Sequence, residues 1–203
     1  MQKADRANFL KPAVVVALSV TFGVSLLACN RQAVATNSQD SVPSTVKIVS
    51  EQEPGEPLIV SGTIYSPDGK QPLPGITLYV YQTDATGRYS TSGGDNRGTR
   101  IHGLMRTDGR GRYEFRTIKP ASYPSTRNPA HIHAYVSGPG YPEYWIDEYL
   151  FAGDPFIKDD AKEKAKGQGT FSPILTVTRG SDGILHAVRD IRIERCSRNC
   201  TGR

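Results

Sequence analysis

Two histidines separated by one residue stand in Pro129-Ala130-His131-Ile132-His133. On a strand, side chains two residues apart point to the same face. Two imidazoles so placed can grip one metal ion. The chain has 4 histidines in all, so a tetrahedral three-histidine zinc site would have to recruit His102 or His186. Neither stands in a stretch that recommends it. His102 is at a loop edge in Arg100-Ile101-His102-Gly103, and His186 falls in the last strand candidate. Other donors must be considered, and the notable ones are tyrosines.

The elements that must position these residues read as strands joined by turns. Gly 20 and Pro 14 are plentiful, and 37% hydrophobic against 22% charged residues suits a soluble globular domain. Residues 58–65 run into Ser66-Pro67-Asp68-Gly69, a strong turn signal. In 76–82, Ile76, Leu78 and Val80 alternate with Thr77, Tyr79 and Tyr81. Tyr113, Phe115 and Thr117 alternate with Arg112, Glu114 and Arg116. Residues 130–137, 174–178 and 184–193 complete the strand candidates, and only 159–166 looks helical. The expected fold is all-β: an antiparallel β-sandwich with long active-site loops and little helix.

The N-terminus has a different character. Lys3, Arg6 and Lys11 make a basic start, and residues 13–27 carry no charge. A membrane span needs about 20 apolar residues, so this stretch has the layout of a secretory signal. It ends Leu26-Leu27-Ala28-Cys29, which resembles a bacterial lipoprotein cleavage box. The resemblance implies that residues 1–28 are removed and that Cys29 is acylated. Residues 29–57, rich in Ser, Thr, Gln, Pro and Glu, are expected to be a flexible tether. The folded domain is expected over 58–195 and a tail over 196–203. The implied location is the bacterial cell envelope, reached by export and held by the N-terminal lipid. Asn30 lacks the aspartate that favours inner-membrane retention in some bacteria, which points to the outer membrane.

Loss of residues 1–28 removes three basic residues and one acidic one, taking the formal charge from +5 to +3. That balance gives no reason to expect nucleic acid. Arg97, Arg100, Arg106, Arg110, Arg112, Arg116 and Lys119 cluster in sequence and read first as a solvated face, with attraction of an anionic substrate as the sharper reading. Cys196 and Cys200 are placed for a small terminal disulfide in an oxidising compartment. Metal binding by that pair is disfavoured, because no histidine or further cysteine is near it in sequence.

Four stretches, in order, resemble the intradiol ring-cleavage dioxygenases, the family that acts on catechol, protocatechuate and hydroxyquinol. They are Asp84-Ala85-Thr86-Gly87-Arg88-Tyr89; Thr107-Asp108-Gly109-Arg110-Gly111-Arg112-Tyr113-Glu114-Phe115 running on to Tyr123-Pro124; Pro129-Ala130-His131-Ile132-His133; and Phe151-Ala152-Gly153-Asp154-Pro155. The resemblance implies a non-haem Fe(III) ion held by Tyr89, Tyr123, His131 and His133. Fe(III) is a hard cation that suits anionic oxygen and imidazole. Its charge drives off the phenolic protons, whose ordinary pKa is near 10. The implied partners are a catechol-type substrate and O2, and the implied product is a cis,cis-muconate-type diacid. Tyr123 is implied to leave the metal when substrate binds and to accept a substrate proton.

The chain departs from the family pattern at three places. The arginine expected three residues before the first histidine is Asn128, with Arg127 beside it. If residues 125–128 form a loop or bulge, Arg127 is re-aimed into the site as the catalytic cation; the alternatives are Arg88 and Arg106. Ser125 follows Tyr123-Pro124 where a large aromatic is common. Glu148 replaces a glutamine, and a carboxylate there would repel an acidic substrate. Two rival readings stand beside the dioxygenase. One is a non-catalytic transthyretin-like or carboxypeptidase-regulatory-like binding module at the cell surface. The other is a zinc hydrolase built on His131 and His133.

Overall fold

A computed structural model describes residues 42–91 and 96–194. Cys29 with residues 1–28, the first part of the expected tether, and Cys196 and Cys200 lie outside the described residues. The strands are β1 (Thr45–Lys47), β2 (Pro57–Tyr65), β3 (Thr77–Gln82), β4 (His102–Arg106), β5 (Arg112–Ile118), β6 (His131–Gly138), β7 (Tyr141–Phe151), β8 (Ile174–Leu175), β9 (Thr178–Arg179), β10 (Leu185–Val188) and β11 (Ile191–Arg192). The one α-helix among the described residues is α1 (Asp159–Ala165), short and without a buried residue. None of the described helices is long and apolar enough to cross a membrane.

One sheet has the order β1-β5-β2-β10-β9, with β11 also on β2; the other has the order β4-β3-β6-β7-β8. The central pairings β2·β5, β3·β4, β3·β6 and β6·β7 are antiparallel. The marginal pairings β1·β5, β10·β2, β11·β2 and β7·β8 are parallel. The fold is therefore the expected all-β, sandwich-like one, with mixed sheets.

The two sheets share one apolar core, because each strand turns alternate residues inward. Leu58, Val60, Ile64, Tyr113 and Phe115 come from the first sheet. Leu78, Val80, Met105, Ile132, Ala134, Val136, Ile146 and Tyr149 come from the second. Phe115 and Tyr149 meet edge to face across the gap, with ring centroids 5.8 Å apart. On β6 the inward set is Ile132, Ala134 and Val136, so His131, His133 and Tyr135 occupy the opposite face.

Order begins before the boundary expected at residue 58, which corrects the tether assignment for residues 44–48. Ile48 is 8% exposed and joins the core. Its amide bonds to Arg116 O at 2.9 Å, and Ser44 O accepts from Glu114 N at 2.9 Å. This short segment covers what would otherwise be the free edge of β5.

Candidate metal centre

Both histidines sit at the start of β6, and their backbone period aims them together. His131 Nε2 and His133 Nε2 are 3.1 Å apart. Tyr123 Oη lies 3.1 Å from His131 Nε2 and 2.9 Å from Tyr89 Oη. The four residues singled out by sequence thus place their donor atoms in one continuous cluster.

The tyrosines come from two loops that are bonded to each other. Asp84 Oδ1 accepts from the amides of Thr86 and Arg88 at 2.8 and 3.1 Å and from the Thr86 hydroxyl at 2.7 Å. This is an Asx-type turn, closed by Gly87 with φ 75°. It presents Tyr89. The Ala121 amide donates to Asp84 O at 3.2 Å, and the Thr83 hydroxyl donates to Ala121 O at 2.9 Å. Tyr123 follows two residues later. Asp154, in the Gly153-Asp154-Pro155 turn, accepts from the Ala130 amide at 2.9 Å through Oδ2 and from the Phe156 amide at 2.9 Å through Oδ1. It fixes the residue just before His131 and is structural.

The donor set fits a cation. His131 Nδ1 lies 2.7 Å from Pro129 O, a carbonyl that can only accept, so Nδ1 carries the proton and Nε2 presents a lone pair. Glu148 Oε1 is 3.0 Å from His133 Nδ1, although off the N–H direction, so the contact is electrostatic more than a well-aligned hydrogen bond. A carboxylate there favours the proton on Nδ1 and leaves Nε2 of His133 free as well. Two lone pairs facing each other at 3.1 Å repel unless a cation or a proton lies between them. The two histidines are 6% and 8% exposed, and burial lowers the pKa of His131, which keeps its imidazole neutral.

Burial, and then the bond to Tyr123, push the Tyr89 hydroxyl well above the ordinary phenol value. Burial raises Tyr123 as well, against the bond from Tyr89. Both are neutral phenols in the protein alone. A bound metal would have to displace their protons, so loading releases acid.

Aromatic rings frame the cluster. Tyr81 stacks on His133 at 4.6 Å. Trp145 stands edge-on to His133 at 4.9 Å and is 39% exposed. β7 holds Trp145 on the outer face, beside the donors.

The remaining candidates lie elsewhere. His102 Nδ1 contacts Thr99 O at 2.6 Å, and His186 is 3.9 Å from Asp182. Residues 123–128 do form a turn, with Thr126 N bonded to Tyr123 O and Asn128 N to the Thr126 hydroxyl. Arg127 is exposed on that turn, and its guanidinium carbon lies 5.5 Å from the Phe156 ring centroid. Arg97, Arg100, Arg112 and Arg116 of the basic cluster pair with Glu143, Glu53, Asp108 and Glu114. Sequence reading missed the contact of Glu148 with His133, which brings His131, His133 and Glu148 within 4.8 Å through their polar atoms.

Residues 32–182 match the family described as Dioxygenase (Dioxygenase_C). Over 162 residues the chain is 27% identical to catechol 1,2-dioxygenase 2 of Acinetobacter lwoffii, covering 72% of this chain and 53% of that protein. Over 124 residues it is 33% identical to catechol 1,2-dioxygenase of Acinetobacter baylyi, covering 52% and 39%. The chain spans about half the length of the curated relatives it matches. Among solved structures, the dioxygenase domain of a dioxygenase–carbohydrate-binding protein fusion from Streptomyces sp. SirexAA-E superposes with TM-score 0.58 at 28% identity, covering 78% of this chain and 92% of that one. Catechol 1,2-dioxygenase from Pseudomonas arvilla C-1 shares the fold with TM-score 0.61 at 23% identity, covering 80% and 61%. With this match taking in β1 to β9 and both histidines, the chain belongs to the intradiol ring-cleavage dioxygenase family.

Proposed function

We propose that this chain is a non-haem iron(III) dioxygenase that opens a catechol-type ring between its two hydroxyl-bearing carbons, using O2. The observation that carries this reading is the meeting of Tyr89 Oη, Tyr123 Oη, His131 Nε2 and His133 Nε2. Two phenolate oxygens and two imidazoles suit a ferric ion. When bound, that ion supplies the charge that activates the catechol toward oxygen.

The protein's own residues do the rest. Pro129 O fixes the His131 tautomer and aims its lone pair. Tyr81 holds the His133 ring flat by stacking. Once a bound ion has displaced its proton, Tyr123 Oη, in contact with both Tyr89 and His131, would be the phenolate base that takes a proton from the incoming catechol. Tyr89 is the more strongly desolvated phenol and stays in place. Trp145 and Tyr81 supply apolar walls for an aromatic ring.

The test is a visible spectrum of the purified, iron-loaded chain, before and after adding catechol without oxygen, followed by oxygen uptake. A red-brown band that shifts with catechol, and uptake on readmitting oxygen, support the reading. A chain that stays colourless after ferric loading overturns it. A colourless divalent ion held by His131, His133 and Glu148 would then mark the site as that of a different metalloenzyme.

A further inference from the structure

The β6·β7 ladder is irregular beside the metal centre. Ile132 pairs with Tyr149, and Ala134 pairs with Ile146. Two steps along β6 therefore match three along β7, and Asp147 and Glu148 together face His133. This is a β-bulge, which re-aims a side chain locally. In a regular strand, Ile146 facing the core would send Glu148 into the core and Tyr149 outward. The bulge keeps Ile146 and Tyr149 buried and turns Glu148 to the side of His133.

The surroundings of Glu148 are negative. Its Oε1 is 3.0 Å from His133 Nδ1, and its side chain remains 36% exposed. Its charge acts on Tyr89, Tyr123 and His131 alike. A cavity of about 380 Å³ opens along β7 against α1. Trp145 lines it, with Asp147, Glu148 and Asp160 against the single cation Lys164. The exposed Trp145 presents an aromatic surface of the kind that attracts cations.

We infer that Glu148, aimed by the bulge in β7, is a specificity-determining residue that disfavours catechols with an anionic ring substituent and favours those with a neutral or cationic one. This rests on the proposed catechol chemistry of the same site. The charge acts on the substrate's substituent through space, so its effect differs between substrates of different charge. A role confined to holding His133 would affect all catechols alike.

The experiment is anaerobic binding to the full, iron-loaded chain, read from the visible band, with three probes: catechol, 3,4-dihydroxybenzoate and dopamine. Ratios of Kd within one protein are independent of the fraction of metal loaded. Wild type is expected to bind dihydroxybenzoate less tightly than catechol. Glu148→Gln is expected to improve dihydroxybenzoate relative to catechol by roughly tenfold, the size of one partly screened charge pair, and to weaken dopamine relative to catechol. Unchanged ratios with binding intact overturn the inference alone. Tighter binding of dihydroxybenzoate than of catechol by wild type also overturns it, whatever the variant does. Failure of wild type to bind any of the three overturns the proposed function, and the inference with it.

Discussion

Gly87 and Ser122 touch where the two tyrosine loops meet: a methyl group added to Gly87 would lie 1.9 Å from the Ser122 carbonyl oxygen. Gly87 also needs φ 75°, which side chains disfavour. Both constraints act two residues before Tyr89 and one before Tyr123. Gly87→Ala must therefore push the loops apart. It is expected to lose most bound iron and its colour, while the sandwich keeps its far-UV circular dichroism. Metal analysis beside the spectrum checks this; full iron content in the variant would contradict it.

Asp84 gives the Tyr89 loop a pH dependence. Burial raises its pKa, but the Thr86 hydroxyl and the amides of Arg88 and Thr86, helped by Arg100, outweigh burial and bring it below the ordinary value. The group thus adds stability that is present above its unfolded pKa near 3.9 and is lost as pH falls through the lower folded value. Asp84→Asn keeps an oxygen acceptor and removes the titration. Its urea midpoint is expected to fall less steeply than that of wild type below about pH 4. Identical slopes would show that the turn does not depend on the charge.

In the core, Tyr113 donates to Arg189 O at 2.7 Å and lies 3.0 Å from Tyr149 Oη. Both tyrosines are buried, at 2% and 0% exposed. Tyr113→Phe removes a donor that water cannot readily replace. The expected cost is about 1–3 kcal/mol in denaturant unfolding, with iron binding unchanged, since this pair faces away from the four donors.

What the sequence disclosed follows from how local each signal is. The alternation in β3 and β6 spans neighbouring residues, and it fixed both the core face and the shared face of His131 and His133. Tyr89 and Tyr123 lie on loops brought together by Asp84 and Ala121, a contact no local pattern encodes; only the order of motifs pointed to them. β7 is the longest strand among those described, yet it gave no signal. Pro142, Glu143, Asp147 and Glu148 break its alternation, and the bulge shifts its parity by one. Glu148 stood out as a carboxylate that would repel an acidic substrate, but its contact with His133 was hidden, because a bulge is a property of register between two strands. β1 is three residues long, too short for a period to be read.

Arg127 is the cation that sequence offered in place of the arginine missing at Asn128. The expected loop exists, since Thr126 N bonds to Tyr123 O and ends any strand geometry there. Its turn carries the Arg127 guanidinium over Phe156, in the same Gly-Asp-Pro turn that Asp154 ties to Ala130. An exposed stack of this kind contributes about 0.5–1 kcal/mol. A cation positioned on developing negative charge would instead account for roughly 10²–10³ in turnover. The two roles therefore differ by orders of magnitude in one measurement. With its guanidinium on the Phe156 ring, the stacking role is the one expected. Arg127→Ala should keep its iron, its catechol-induced colour shift and most of its oxygen uptake, and lose only a small amount of thermal stability. A hundredfold fall in oxygen uptake with binding intact would show that substrate draws Arg127 off Phe156 and into the site.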